Sequence, residues 1–260
     1  MTTTKKQLFS KSIVSLIAIS TLGLSGCSYL SDKEHKTDPH WGYSGNEGPE
    51  NWGKLADNFT LCEKGVNQSP INITNSIEAN LPTLLLRYGQ AASNIENNGH
   101  TVQINFPADS GFMLDKTKYE LKQVHFHSPS ENTIEGNSYP LEAHFVHADP
   151  LGQLAVVAVM FKEGSKNDAL ANALQQLPTK KGDKHLLNNK IYPREMMPKD
   201  MSYYRFSGSL TTPPCSEGVL WLVLKQPITA SNAQIKAFES TFGHANNRPV
   251  QPVNHRPVLK

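Results

Sequence analysis

Short runs rich in Val, Ile, Phe and Tyr, separated by Gly, Pro and Asn, give this chain its pattern. Runs of that kind predict strands. They fall at 84–88, 101–106, 119–127, 141–148, 154–161, 203–207 and 219–224. Two segments predict helices instead, 168–177 and 231–242, the second with Ser231 as N-cap and Gly243 just past its end. Most gaps between the strand runs are too short for helical crossovers, so the expected architecture is mainly β with a largely antiparallel sheet.

One strand pair carries candidate chemistry. Side chains two apart on a strand share a face, so His125 and His127 project together, and Gln123 projects with them. The run 141–148 holds His144, with Glu142 on the same face. A hairpin joining the two strands brings the third imidazole opposite the first pair. Three neutral imidazoles converging with a fourth position open make a catalytic metal site, and Gln123 and Glu142 can take the second N–H of a ligand histidine. Alternation turns His147 to the other face, leaving His125, His127 and His144 as ligands. The competing reading is a set of hydrogen-bonded histidines on half-exposed strands.

The N-terminus reads as an export signal: Lys5, Lys6 and Lys11, then an apolar stretch 13–24 too short to span a bilayer securely. It ends in Leu24-Ser25-Gly26-Cys27, which resembles a bacterial lipobox and implies that Cys27 becomes the lipidated first residue. Ser28 is compatible with outer-membrane sorting in a Gram-negative host. Ordinary secretion and an uncleaved anchor are the alternatives. Loss of 1–26 removes three lysines and no acids, leaving 22 basic against 23 acidic side chains. There is then no electrostatic case for nucleic-acid binding. Residues 27–38 read as a polar tether, and 39–260 are long enough for one domain with a substantial core. In an exported domain the remaining cysteines, Cys62 and Cys215, point to a bridge, with two buried thiols as the alternative.

Several segments taken together resemble the α-class carbonic anhydrases: HWGY at 40–43, GPENW at 48–52, NQSPINI at 67–73, NNGH at 97–100, QVHFHSPSENTI at 123–134, LEAHFVH at 141–147, LAVVAVMF at 154–161, YRFSGSLTTPPCSEGV at 204–219 and NRPVQP at 247–252. The resemblance spans about His40 to Arg256. It implies a large twisted, mainly antiparallel sheet with short peripheral helices, one Zn2+ per chain, and reversible hydration of carbon dioxide to bicarbonate and a proton by zinc-bound hydroxide.

It also implies roles for single residues. Thr211 matches the threonine that orients the hydroxide, and Glu131 the glutamate that orients Thr211; because a carboxylate only accepts, Thr211 donates to Glu131 and keeps its lone pairs for the hydroxide. His100 matches the proton shuttle, with Tyr43, Asn98 and Gln103 around its water chain, and its intrinsic pKa suits transfer near neutrality. Gln103 stands where many animal members have asparagine, which bears on shuttle efficiency. Val146, Val156, Leu210, Val219 and Trp221 match the apolar wall for carbon dioxide, and Thr212 the neighbour of the bicarbonate site. Asn246 and Arg248 match the segment supporting His127. Two departures, Ser128-Pro129 for Trp-Gly and Asn247 for another tryptophan, are expected to lie outside every assigned role. A catalytically silent relative is disfavoured by the complete ligand set. A cupin-type iron or manganese site with Glu131 as ligand lacks the downstream Pro-x-Gly and histidine. A purely structural lipoprotein would bind no zinc, and a homodimer is left open.

Overall fold

The computed structural model describes residues 39–260; the expected export signal, Cys27 and the whole of the tether lie outside them. In chain order the strands are β1 (Asn72–Ile73), β2 (Leu85–Arg87), β3 (Asn94–Asn97), β4 (Val102–Asn105), β5 (Gly111–Leu114), β6 (Thr117–His127) and β7 (Thr133–Ile134). They continue with β8 (Leu141–Ala148), β9 (Leu154–Glu163), β10 (Lys184–Leu186), β11 (Tyr203–Ser209), β12 (Glu217–Leu224) and β13 (Ile228–Ala230). The α-helices are α1 (Trp52–Leu55), α2 (Leu61–Lys64), α3 (Asp168–Leu174) and α4 (Asn232–Phe242). Every predicted strand is present. Four others, β3, β5, β10 and β13, complete an 11-stranded sheet.

The sheet runs β10-β3-β4-β6-β8-β9-β12-β11, with β2 and β5 branching from β6 and β13 from β9. It is mostly antiparallel as expected, but β9 runs parallel to both β12 and β13. At its centre, β9 divides its side chains between two apolar clusters. Val157, Val159 and Phe161 face one, which α3 and α4 cover with Leu170, Ile235 and Phe238. Val156, Ala158 and Met160 face the other, with Ile71, Phe206, Val219 and Trp221. A strand buried on both faces reads as a continuous apolar run, which is why Ala155–Phe161 carries no polar residue.

Strand β6 is long because the β5–β6 hairpin closes through Asp115 and Lys116 at φ 49° and 68°, a two-residue turn suited to the strand twist. It also contains a bulge. Leu121 pairs with His147 but Gln123 pairs with Val146, so Lys122 is the extra residue. A bulge shifts the alternation of faces by one. Leu121 and Val124, three apart, therefore both enter the main core, while Gln123, His125 and His127 turn together toward the opposite face.

Helix α4 begins as predicted. Ser231 forms a capping box with Gln234, and Gly243 ends the helix in the left-handed region at φ 73°. Helix α3 stops at Leu174 rather than Leu177, since Leu177 precedes Pro178 and is biased away from helical backbone. A third cluster, Trp52, Phe59, Cys62 and Cys215 flanked by Trp41 and Tyr43, packs the N-terminal segment onto the domain. Cys62 and Cys215 form a disulfide across 153 residues, with Cα atoms 5.0 Å apart. Among the described residues no helix is long and apolar enough to cross a membrane.

Candidate metal centre

Antiparallel pairing of β6 with β8 places His125 directly opposite His144. Together with His127 they offer ligand atoms that all lie within 4.8 Å of one another. His127 and His144 are 1% exposed. The outer nitrogens are occupied: His125 Nδ1 lies 2.8 Å from Gln123 Oε1, His127 Nδ1 2.7 Å from the Asn246 carbonyl and His144 Nε2 2.9 Å from Glu142 Oε1. Carbonyl and carboxylate oxygens only accept, so His125 and His127 carry their N–H outward, and the carboxylate beside His144 Nε2 favours the same tautomer there. The His144 contact is bent away from hydrogen-bonding geometry, and Nε2 has no other partner among the described residues.

The inner nitrogens, His125 Nε2, His127 Nε2 and His144 Nδ1, keep their lone pairs. Burial holds all three imidazoles below the usual histidine pKa, His125 and His144 well below, and the mutual repulsion of the rings adds to it for those two. Neutral imidazole is the form that binds a metal. His127 Nε2 is buried with no hydrogen-bond partner, a costly arrangement in a dry interior and one that a metal ion relieves. The donor set fits Zn2+: three nitrogens, with space in the cavity for a fourth ligand.

Glu142 is held rigidly. Its Oε2 accepts from the backbone N–H groups of Glu131 and Asn132, and Oε1 from the Asn132 side chain. Glu131 lies beside the imidazoles, with Oε2 3.5 Å from His127 Nε2 and 3.9 Å from His144 Nδ1. Its Oε1 accepts from the Arg248 N–H at 2.9 Å. Burial pushes the Glu131 pKa well above the ordinary carboxylate range, and the Arg248 N–H and Thr211 hydroxyl pull it back. Thr211 is thus adjacent, yet Glu131 Oε2 has no partner of hydrogen-bonding geometry; the pair is in place but not closed.

Asn246 ties the ligands to the wall of the site. Its side-chain oxygen accepts from Ser128 N, and its amide donates to the carbonyls of Phe126 and His100. The contact to Asn246 uses the Ser128 backbone N–H, which any residue at 128 supplies, while the Ser128 hydroxyl donates to the Pro140 carbonyl. Arg248 is buried and reaches Cys62 O, Gln68 Oε1 and Ser69 O, each at 2.8 Å. Burial lowers its pKa to about 10.

A cavity of about 130 Å³ opens beside the imidazoles, lined by Tyr43, Asn98, His100, Gln103, Gln123, His125, His127 and Thr212 together with Trp41 and Thr101. Asn98 accepts from the backbone N–H groups of His100 and Thr101, which fixes the turn, and Gly99 at φ 88° needs glycine there. Gln103 directs its amide nitrogen to Glu96 and Asn105. Tyr43 is half-buried, and its pKa is raised by desolvation and by Glu131. His100 departs from expectation. Its ring stacks on Trp41 at 3.7 Å and 7°, and burial, then Lys181, His40 and His244, lower its pKa to about 4. Trp41 was visible in the HWGY segment but was given no role.

The apolar wall gathers as a group. Val156, Val219 and Trp221 are buried in one cluster, against which Val146 and Leu210 pack half-buried. Trp221 meets His144 edge-on at 4.9 Å and donates its indole N–H to the Ser209 carbonyl. Asn132, the partner of Glu142, was missed in sequence because Asn in a loop carries no signal of its own.

The fold and site define a β-sheet protein with three convergent histidines that could hold a metal ion. The family model described as eukaryotic-type carbonic anhydrase matches residues 47–260. The carbonic anhydrase of Pectobacterium carotovorum is 49% identical over 220 residues, covering 85% of this chain and 90% of its own length. That of Neisseria gonorrhoeae is 44% identical over 238 residues, covering 91% and 94%. The solved structure of the α-carbonic anhydrase from Thermovibrio ammonificans, in complex with sulfanilamide, matches with a TM-score of 0.85 at 44% identity, covering 86% of this chain and all of that one (100%). The chain belongs to the eukaryotic-type carbonic anhydrase family.

Proposed function

We propose that this protein is a zinc-dependent carbonic anhydrase, interconverting carbon dioxide and water with bicarbonate and a proton. The observation that carries the reading is the set of three neutral imidazoles, two of them buried, whose inner nitrogens converge while their outer nitrogens meet Gln123, Asn246 and Glu142. Zinc held by His125, His127 and His144 supplies a Lewis acid that makes hydroxide available near neutral pH.

The chain's own residues do the rest. Glu131 fixes the direction of the Thr211 hydroxyl by accepting its proton in a hydrogen bond, leaving the Thr211 oxygen to accept from the nucleophile. Val146, Val156, Leu210, Val219 and Trp221 give carbon dioxide an apolar wall, where a small neutral molecule is better placed than an ion. Thr212 lines the same cavity as His125 and His127 and serves the bicarbonate. Tyr43, Asn98 and Gln103 line the path between the centre and His100, which passes the released proton outward. With a pKa near 4, His100 is a weak acceptor at neutral pH, so it takes the proton up only transiently and solution buffer shares the transfer.

The N-terminal reading is part of this proposal: cleavage before Cys27, a lipid on Cys27, and a tether from 27 to 38 that leaves the 39–260 domain on the periplasmic side of the cell envelope. Mass analysis of membrane-fraction protein tests it, and an unmodified Cys27 rules the anchor out. The activity is tested by stopped-flow carbon dioxide hydration on protein of known zinc content. Rate in proportion to zinc supports the reading; zinc-loaded protein no faster than buffer contradicts it.

A further inference from the structure

His147 shares β8 with the ligand His144 but plays no part in the chemistry above. It is fully buried, at 0% exposure, on the face opposite the metal centre. Its Nδ1 lies 3.3 Å from the carbonyl of Ala155, its cross-strand partner on β9. That oxygen can only accept, so Nδ1 carries the hydrogen. Nε2 therefore accepts from the Tyr88 hydroxyl, 2.9 Å away. Tyr88 stands just beyond β2, is 4% exposed, and stacks on Phe145. Phe112 of β5 closes the other side of the imidazole, edge-on at 4.7 Å. The ring thus bonds or packs to β9, β5 and the β2 edge at once.

Its position on β8 gives this polar island its meaning. His147 pairs with Leu121, the residue at which the β6 bulge begins, and Val146 already pairs with Gln123 across it. The bulge is what turns Gln123, His125 and His127 to the metal side. On β8 itself the same residue fixes which alternate positions face the core, and so where His144 points. An apolar side chain at 147 could slide along an apolar face, because its packing has no direction. A ring that must meet one hydroxyl and one carbonyl cannot. Buried polar groups of this kind can specify register at some cost in stability.

We infer that His147 and Tyr88 form a register lock: His147 is a positioning residue that sets the geometry of all three imidazoles from the reverse face of the sheet, through the β6 bulge and through β8. This inference rests on the metal-centre reading, and it is tested by metal binding rather than by activity. The decisive variant is Tyr88→Phe/His147→Leu, which removes the hydroxyl and the imidazole together and gives up only the longer, 3.3 Å bond to the Ala155 carbonyl, a smaller cost than stranding either partner alone. Zinc affinity is measured by competition with a chromophoric chelator, and ligand geometry by the visible spectrum of the cobalt(II)-substituted protein.

The lock predicts a cooperatively folded double variant whose zinc affinity falls about tenfold or more, as for other residues that orient ligands, with an altered cobalt spectrum. His147→Gln, whose amide can donate to Ala155 and accept from Tyr88, recovers most of the affinity. Should the double variant fail to fold, Tyr88→Phe alone decides on the same two readouts. Variants that bind zinc as tightly as the wild type with an unchanged cobalt spectrum overturn the lock and leave the metal centre standing. A wild-type protein that binds no zinc overturns the metal centre, and the lock with it.

Discussion

The backbone carbonyl of Asn246 takes the Nδ1–H of His127 at 2.7 Å, while the Asn246 side chain is itself fixed by Ser128, Phe126 and His100. The His127 imidazole is thus aimed by a main-chain atom 119 residues away along the chain. Nothing in the residue type at 246 is needed to supply that carbonyl; the asparagine is needed to hold it still.

Asn246→Ala keeps the carbonyl and removes its three anchors. The buried Ser128 N–H loses its partner, at a cost of about 1–3 kcal/mol, and zinc affinity falls about tenfold. Urea unfolding and chelator competition measure the two effects. Wild-type affinity in this variant shows that the carbonyl needs no such support.

Thr211→Val keeps the shape of the side chain and loses the hydroxyl. Zinc content stays at the wild-type level, and kcat/KM for carbon dioxide hydration drops about 100-fold, the order expected for one positioned hydrogen bond at a reacting oxygen. Loss of zinc along with activity marks Thr211 as part of the metal scaffold instead.

His100 gives a buffer prediction. Because its pKa is lowered to about 4, proton release in dilute buffer limits turnover in the wild type and more so in His100→Ala. Concentrated imidazole brings the two together, and kcat/KM is unchanged throughout. A variant as fast as the wild type in dilute buffer removes His100 from the proton path.

The fully buried His147 links stability to pH. Burial lowers its folded pKa to about 3, from the ordinary histidine value of 6.5, so between those values the unfolded chain binds a proton that the folded chain does not. Its contribution is present above pH 6.5 and is lost as pH falls toward 3, at up to about 1.4 kcal/mol per pH unit. Stability measured by urea at several pH values falls more steeply with acid in the wild type than in Tyr88→Phe/His147→Leu. Parallel profiles contradict this origin of the acid sensitivity.

Much of this was legible in the residues, for reasons that differ from element to element. The run Leu141–Ala148 was placed to the residue, because apolar and polar positions alternate from Leu141 to Phe145 and Asp149-Pro150 closes the run. The His-x-His face followed from the same period of two. Strand β3, Asn94–Asn97, was missed because asparagine and glutamate suit loops, and only tertiary pairing with β4 and β10 makes the segment extended. Strand β10 is exposed at every residue and has no apolar signature to read. The bulge at Lys122 left a trace that went unread: apolar parity switches between Leu121 and Val124. The depressed pKa of His100 had no local sign, since Trp41, Lys181 and His244 reach it from distant parts of the chain.

The account stands or falls on His125, His127 and His144 acting as one metal centre. The most direct test is stopped-flow carbon dioxide hydration by zinc-analysed His144→Ala set against the wild type. The account predicts that the variant loses its tightly held zinc and its hydration activity together. Undiminished hydration in a variant that carries no zinc would contradict it.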